Sequence, residues 1–224
     1  EVQLASKFGL VWHGEVAGGF DVRADPGYVA QACEASLRRL GVDVIDLYYL
    51  HHRSDDVPIE ETVGAMATLV EQGKVRLLGL SNVTADDLRR ADAVHPISAL
   101  QQAWSIVRRD VEHELVSAAG DLGTVIVAHS PNGHGILHVE HQTPEPLRST
   151  LETLSRTHRV TPGQVALAWV HHRQLVHQTS VVPLPGTTRT SHLRENIAAA
   201  DLHVSEDELR QLDAIAEPHE TTNR

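Results

Sequence analysis

The sequence contains a single cysteine, Cys33, among 224 residues, so it has no internal disulfide framework. It also lacks an apolar run long enough to cross a bilayer, and it does not begin with the charged and then apolar stretch of a secretion signal. Lysine and arginine number 19 against 30 acidic residues, a formal net charge of −11. This charge argues against nucleic acid but not against a local basic pocket for one phosphate. We therefore expect a cytoplasmic protein that binds neither nucleic acids nor membranes.

The rest of the composition suits one substantial core. Of the residues, 41% are hydrophobic and 22% are charged, which is typical of a globular chain of this length. No repeat of fixed period and no low-complexity segment divides the sequence. We expect a single domain over residues 1–224, and the sequence leaves its oligomeric state open.

Short apolar runs alternate along the chain with longer amphipathic patterns. The apolar runs predict strands at about 2–6, 44–50, 75–80, 97–101, 124–128 and 179–184. The amphipathic patterns predict helices over 27–40, 59–72, 84–93, 110–121, 147–158, 162–173 and 205–216. Apolar strands separated by whole helices pair in parallel, so the sequence predicts an α/β fold.

A βα barrel fits this alternation better than a doubly wound sheet does. No Gly-x-Gly-x-x-Gly follows any strand, whereas strand after strand ends in polar or small residues. These are Lys7, His51, Ser81 with Asn82, Gln101, Ser130, and Gly186 with Thr187. The carboxyl ends of barrel strands converge on one face, where active sites are built. Only six strand and helix units are visible, whereas a closed barrel has eight. Either two upstream units lie outside this sequence, or a partner chain or a rearranged strand closes the barrel.

Seven stretches occur in a characteristic order and spacing. They are LASKFG, EASLRRLGVDVIDLYYLH, PIEETVGAMATLVEQGKVRLLGLSN, LQQAWSIVRRD, LGTVIVAHSPNGHGIL, VTPGQVALAW and VVPLPGTTRTSHLRENIAA. Together they cover nearly the whole chain, which resembles the aldo-keto reductases, NADPH-dependent carbonyl reductases on a βα barrel. The resemblance implies a TIM (β/α)8-type barrel, of which six units are visible here, an NADPH cofactor and an aldehyde or ketone substrate.

The resemblance also assigns catalytic residues. In the family a hydride passes from the nicotinamide to a carbonyl carbon while a tyrosine, tuned by a lysine and an aspartate, protonates the oxygen, and a histidine orients the carbonyl. Lys7 in SKFG matches the lysine and His51 in YYLH the histidine, whereas His52 and Arg53 resemble loop residues. The family's tyrosine and aspartate would lie upstream of residue 1, and none of the three tyrosines here matches that motif.

Most cofactor-binding positions of the family are represented. Ser81, Asn82 and Gln101 match the residues that hold the nicotinamide carboxamide. Thr187, Arg189 and His192 match the positions that bind the 2′-phosphate. Glu195 and Asn196 match the positions that bind the adenine. A helix N-terminus after PGTTRTS suits an anion on physical grounds.

The remaining cofactor candidates depart from the family's pattern. His129 replaces an aromatic residue that stacks on the nicotinamide, and the segment between Leu137 and Pro146 is shorter than the family's loop over the cofactor. The other candidates that the resemblance assigns to the cofactor are Ser130, Asn132, Gly133 and Gly186.

Each candidate also has a structural interpretation. Ser81 and Asn82 are residue types that cap a following helix. Trp12 and Trp104 are core or rim aromatics, and at a barrel mouth they would line a substrate pocket. Histidines form two clusters, one of His134, His138 and His141 and one of His171, His172 and His177. Neither cluster has a cysteine or a carboxylate motif that completes a zinc site. We therefore predict solvated histidines and no metal.

Two classes of function follow from these observations. The leading hypothesis is an NADP(H)-dependent oxidoreductase that reduces an aldehyde or ketone by hydride transfer. The alternative takes the chain as a truncated aldo-keto reductase-like protein without redox activity. Such a protein would be an acid/base enzyme that uses Lys7 or His51, or a binding or regulatory subunit.

Overall fold

The computed structural model of the chain describes residues 2–12, 19–133, 137, 143 and 145–215. The chain is divided into two compact units. The first comprises Glu1–Gln101 and Asp121–Val125, and the second comprises Gln102–Gly120 and Ile126–Arg224. Within the described ranges, no helix has both the length and the apolar character that a membrane crossing requires.

The first unit is a parallel sheet with helices between its strands. Its sheet strands, in hydrogen-bonded order, are β1 (Ala5–Phe8), β4 (Ile45–Leu50), β5 (Val75–Ser81) and the first part of β6 (Ala99–Ala103). Its helices are α1 (Pro26–Leu40), α2 (Ile59–Glu71) and α3 (Ala85–Asp92). A separate antiparallel pair joins β2 (Leu10–Trp12) to β3 (Phe20–Val22).

Local sequence explains where α1 begins and ends. Asp25 is its N-cap, and the Asp25 side chain accepts a hydrogen bond from the backbone N–H of Tyr28 at 2.9 Å. Pro26 follows at the first helical position, where its missing N–H costs nothing. The helix stops at Gly41, whose φ of 67° lies in the left-handed region that glycine adopts without strain. These signals fix the chain that leads into β4.

The second unit contains the remaining elements. Its strands are the last part of β6, β7 (Val125–His129) and β8 (Val181–Leu184), in that order, with β7 and β8 parallel. Its helices are α4 (Leu115–Leu122), α5 (Leu147–His158), α6 (Pro162–His177), α7 (Thr190–Ala198) and α8 (Glu206–Ile215). Helix α6 is the core element of this unit, because all of its residues from Gly163 to Val170 are buried.

The predicted alternation of six parallel strands with helices is confirmed, with shifted boundaries. Strand β1 begins at Ala5 rather than near residue 2, and α6 extends to His177 rather than ending at 173. The predicted helix over 110–121 is divided. A 3₁₀ turn at Asp110–Glu112 comes first and α4 begins only at Leu115. In the turn, the Glu112 carboxylate accepts hydrogen bonds from Trp104 and Arg109.

Candidate active site

Lys7 and Gln101 meet within the first unit, near the carboxyl ends of their strands. Lys7 lies on β1 and Gln101 on β6, yet Lys7 Nζ donates a hydrogen bond to Gln101 Oε1 at 2.5 Å. Strands β4 and β5 lie between them, and Ser81 at the end of β5 is the pairing partner of Gln101. The structure thus brings together two residues that the sequence assigned to the lysine and carboxamide positions.

Lys7 combines a charge with a partly desolvated position. Burial lowers the pKa of Lys7 from its ordinary value, because a low-dielectric environment disfavours the ammonium. An ammonium carries three donors, and the bond to Gln101 occupies one of them. Lys7 therefore has donors left for a further acceptor at this strand end.

His51 follows β4 directly and is fixed through its backbone. Its N–H donates to the carbonyl oxygen of Phe8 at 2.8 Å, and its carbonyl oxygen accepts a hydrogen bond from Asn82 Nδ2 at 2.9 Å. Burial lowers the pKa of His51, and the nearby charges of Lys7 and His52 lower it further. At neutral pH the imidazole is therefore uncharged and carries one N–H.

This environment leads to a prediction for Lys7→Met. Removing the ammonium deletes one cause of the depressed His51 pKa but leaves burial, the larger cause, in place. We expect the pKa of His51 to rise in this variant while staying below its ordinary value. Titration of the histidine ring signals by NMR, with the His51 signal assigned from His51→Asn, measures the change. Lys74→Met is the matched control, since Lys74 pairs with Glu34 elsewhere in the unit; an unchanged His51 pKa in Lys7→Met would contradict the electrostatic coupling.

His52 and Arg53 form loop contacts, as their resemblance to loop residues predicted. His52 Nδ1 lies 3.0 Å from the Arg53 carbonyl oxygen. The Arg53 guanidinium pairs with Asp55 at 3.2 Å and with the buried Asp87 of α3 at 3.4 Å. These contacts secure the chain that follows His51.

Ser81 and Asn82 do not cap the next helix. Thr84 is the N-cap of α3, and it forms a capping box with Asp87. Ser81 is buried, and Asn82 has a φ of 54°, a left-handed conformation that asparagine tolerates better than most residues. Asn82 Nδ2 donates to the His51 carbonyl oxygen and to Ser81 Oγ, so this amide fastens the end of β5 to the end of β4.

The two tryptophans assigned to a substrate pocket differ in exposure. Trp12 on β2 is 66% exposed and packs edge-on against Phe20 of β3. Trp104, in the second unit, is fully buried, and its Nε1 donates to Glu112 Oε1 at 2.9 Å. The expectation for Trp104 is corrected accordingly: its indole is bonded to the partly buried carboxylate of Glu112 and has no exposed surface to offer to a substrate.

The end of β7 carries His129 and Ser130 in the second unit. His129 Nδ1 lies 3.1 Å from Ser130 Oγ, and the His129 carbonyl oxygen accepts from the backbone N–H of Trp104. Ser130 has a φ of 52°, and its carbonyl oxygen accepts from the backbone N–H of Gly133 at 2.8 Å. The chain therefore turns sharply after β7.

A cavity of about 680 Å³ lies within the second unit. Six of the predicted cofactor residues line it: Asn132, Gly186, Thr187, His192, Glu195 and Asn196. The structure thus gathers the segment after β7, the loop after β8 and the first two turns of α7 around one space. Arg189 is exposed at the N-cap of α7, and its backbone N–H donates to Thr187 Oγ1 at 3.0 Å, but its side chain does not line the cavity.

Two charged residues line the cavity although the sequence did not indicate a role for them. Arg148 and Glu152 of α5 line the cavity and are paired with each other at 3.0 Å, and Arg148 also pairs with Glu145. Their i,i+4 spacing gives the same signal as an ordinary solvated helix face, so only the structure shows that they border a cavity.

The second histidine cluster, His171, His172 and His177, lies within the described residues, but no metal site is found there. Among the residues that the structure describes, no group of three or more histidine, cysteine, aspartate or glutamate side chains is arranged to hold a metal ion. His134, His138 and His141 lie outside the described residues. Burial lowers the pKa of His171, His172 and His177.

The sequence and the fold of the chain are similar to those of known proteins. The sequence model of the aldo/keto reductase family matches residues 1–217. A probable aldo-keto reductase of Glycine max is 39% identical over 234 residues, which cover 95% of this chain and 66% of that protein. The chain therefore spans slightly less than two thirds of the length of this relative.

Solved structures with the same fold include two enzymes with a similar sequence. A thermostable aldo-keto reductase in complex with the inhibitor epalrestat gives a TM-score of 0.76 at 32% identity, over 86% of this chain and 67% of that chain. An aldo/keto reductase from Klebsiella pneumoniae, in complex with NADP and acetate, gives a TM-score of 0.77 at 27% identity, over 100% of this chain and 73% of that chain.

Proposed function

The chain belongs to the aldo/keto reductase family, and from this premise we propose that it is an NADP(H)-dependent oxidoreductase that reduces an aldehyde or ketone by hydride transfer. Its parallel strands and intervening helices match the barrel-type fold of that family. The observation that carries the proposal is the cavity of the second unit, where Thr187, His192, Glu195 and Asn196 come together as a nucleotide site requires.

The residues of this cavity fit a nucleotide. Its volume of about 680 Å³ lies within the range of small-molecule and cofactor sites. Asn132 Oδ1 is buried and has no hydrogen-bond partner among the described residues, so it offers an acceptor to a ligand donor. The N-terminus of α7 borders the same space and favours a phosphate group through its free backbone N–H groups.

The first unit supplies the groups that act on the carbonyl. When bound, the nicotinamide supplies the hydride. His51, uncharged at neutral pH, can donate its ring N–H to the carbonyl oxygen and orient it. The Lys7 ammonium places positive charge at the same strand ends, where it favours the negative charge that develops on that oxygen. Because burial lowers its pKa, the same ammonium can donate the proton that converts the resulting alkoxide to the alcohol. Gln101 holds Lys7 in place and, by its match to the family, would also face the nicotinamide carboxamide.

Cofactor preference tests the proposed nucleotide site. Replacing Arg189 and His192 together by alanine removes the two side chains assigned to the 2′-phosphate. We expect the Kd for NADPH to rise at least ~10-fold, since a hydrogen bond to a charged group contributes about 1.5–3 kcal/mol. The Kd for NADH, which lacks this phosphate, should change little. Fluorescence titration with each nucleotide measures both values.

Arg194→Ala is the matched control for that titration. Arg194 is an exposed cation of α7 that is not assigned to the 2′-phosphate, so its loss should leave the affinity for NADPH unchanged. If the double variant bound NADPH as tightly as the unaltered protein, the assignment of Arg189 and His192 to the 2′-phosphate would be wrong.

A further inference from the structure

No residue of α5 belongs to the stretches that resemble the family's motifs, yet Arg148 of this helix lines the cavity of the second unit. We propose that Arg148 is a further binding residue of this cavity and that its guanidinium binds a phosphate group of the nucleotide. That the phosphate belongs to a nicotinamide nucleotide rests on the proposed function, whereas the binding of an anion by Arg148 does not.

Helix α5 is anchored by its apolar side, which fixes the place from which Arg148 extends. Leu147, Leu151 and Leu154 of this helix are buried, and their spacing of three and four residues puts them on one side. Arg148 and Glu152, one turn apart, lie on the adjoining side, and both line the cavity. A guanidinium on an anchored helix loses less freedom on binding than one on a loop.

Arg148 supplies permanent positive charge to the cavity. Among the described residues that line this space there is no lysine and no other arginine, whereas the carboxylates of Glu152 and Glu195 line it as well. Like charges repel, so a phosphate group that enters between these carboxylates requires a cation close by. Arg148 is the described lining residue that carries such a charge at any working pH.

The guanidinium of Arg148 is held in place and still has donors to offer. Its Nη1 donates to Glu152 Oε1 at 3.0 Å, and its Nη2 donates to Glu145 Oε1. A guanidinium has five N–H donors in one plane, so these two bonds leave donors for another acceptor. The side chain is 33% exposed, and phosphate oxygens are acceptors that fit two parallel N–H groups. The two glutamates therefore orient Arg148 without saturating it.

Two further features of the cavity indicate a ligand with both phosphate and donor groups. The first turn of α7 borders the cavity through His192, and the N–H groups of a first helical turn have no acceptor within their own helix. Such N–H groups bind anions. Asn132 Oδ1 is buried and lacks a hydrogen-bond partner among the described residues, so it can accept from a hydroxyl or amino group of the same ligand. The cavity thus offers Arg148 and α7 to a phosphate and Asn132 to a donor.

Inorganic pyrophosphate tests the Arg148 site without a nicotinamide. Arg148→Met keeps an apolar stem and removes the guanidinium. We expect the Kd for pyrophosphate, measured by isothermal titration calorimetry, to rise at least ~10-fold, the effect of losing a charge-assisted hydrogen bond.

Arg156→Met is the matched control for this titration. Arg156 also lies on α5 and also pairs with Glu152, at 4.0 Å, but its side chain is 72% exposed. Its loss should change the Kd for pyrophosphate less than about 2-fold, as expected for a surface ion pair. Equal Kd values for Arg148→Met and Arg156→Met would overturn the proposal.

Arg148→Lys separates the loss of charge from damage to α5. Lysine retains the positive charge and can pair with the same two glutamates, but it lacks the planar fork of donors. Its Kd for pyrophosphate should therefore lie between the values for the unaltered protein and for Arg148→Met. If Arg148→Lys bound pyrophosphate as weakly as Arg148→Met, positive charge would not hold the anion and the proposal would be wrong.

Titration with NADPH and with NADH shows which phosphate Arg148 binds. A rise in the Kd of both nucleotides in Arg148→Met assigns it to the pyrophosphate that they share, and a rise for NADPH alone assigns it to the 2′-phosphate. Either result supports the proposal, whereas unchanged values for both nucleotides would overturn it. A protein that bound inorganic pyrophosphate through Arg148 but bound neither nucleotide would overturn the proposed function and leave the anion site supported. A protein that bound none of the three would contradict both.

Discussion

Replacing Lys7 by methionine is expected to lower kcat for NADPH-dependent carbonyl reduction by about 100-fold or more, the usual effect of losing a group that assists proton transfer or stabilises developing charge. Methionine keeps the length and the apolar stem of lysine but has no ammonium. It therefore removes both the hydrogen bond to Gln101 and the positive charge at the strand ends of the first unit. Steady-state rates with a reactive aldehyde and saturating NADPH measure the loss.

The sequence provides a matched control for this substitution. Lys74 is the only other lysine, and it is partly exposed and paired with Glu34. Lys74→Met makes the same chemical change away from the strand ends, so kcat should stay within about 2-fold of the unaltered protein, as expected for a surface ion pair. A Lys7→Met variant that retained a comparable kcat would show that the ammonium takes no part in the reaction.

Replacing Asp213 by alanine is expected to lower the free energy of unfolding by about 3 kcal/mol. Asp213 on α8 accepts hydrogen bonds from both terminal nitrogens of Arg173, at 3.0 and 3.1 Å, and from Trp169 Nε1 at 2.8 Å. Arg173 is only 1% exposed, so the variant leaves a buried guanidinium without its carboxylate. This loss lies at the low end of the range for breaking a buried ion pair, because the Asp213 side chain is 30% exposed.

Urea unfolding followed by circular dichroism measures this loss, and the same helix supplies a control. Asp207 of α8 pairs only with Arg210 among the ion pairs of the described residues, and both side chains are largely exposed. Asp207→Ala should therefore change stability by less than about 0.5 kcal/mol. If the two variants unfolded at similar urea concentrations, the buried network around Arg173 would not hold α8 to α6.

Sequence periodicity predicted the elements that position the site, because they are long or bounded by clear signals. The apolar run over 44–50 became β4 at Ile45–Leu50, and the polar residues that follow β4 and β5 lie where the motifs indicated. The hairpin of β2 and β3 was not predicted. Each of these strands has only three residues, too few for an alternating pattern to be recognised.

Contacts between residues that are distant along the chain could not be predicted from the sequence. Trp104 follows a predicted strand and resembled a pocket aromatic, but its position depends on the carboxylate of Glu112, which a 3₁₀ turn brings to its indole. Arg148 and Glu152 were not singled out, because their i,i+4 spacing is that of any solvated helix face and only the structure shows that they border the cavity.

Transfer of deuterium from labelled NADPH tests the central claim most directly. The protein would be incubated with a panel of reactive aldehydes and ketones and with NADPH carrying deuterium at C4 of the nicotinamide, in one stereochemical position at a time. If the chain reduces carbonyl groups by hydride transfer, mass spectrometry of the alcohol will show one deuterium on the former carbonyl carbon from one of the two labelled cofactors only. Binding of NADPH without transfer of deuterium to any member of the panel would contradict the account.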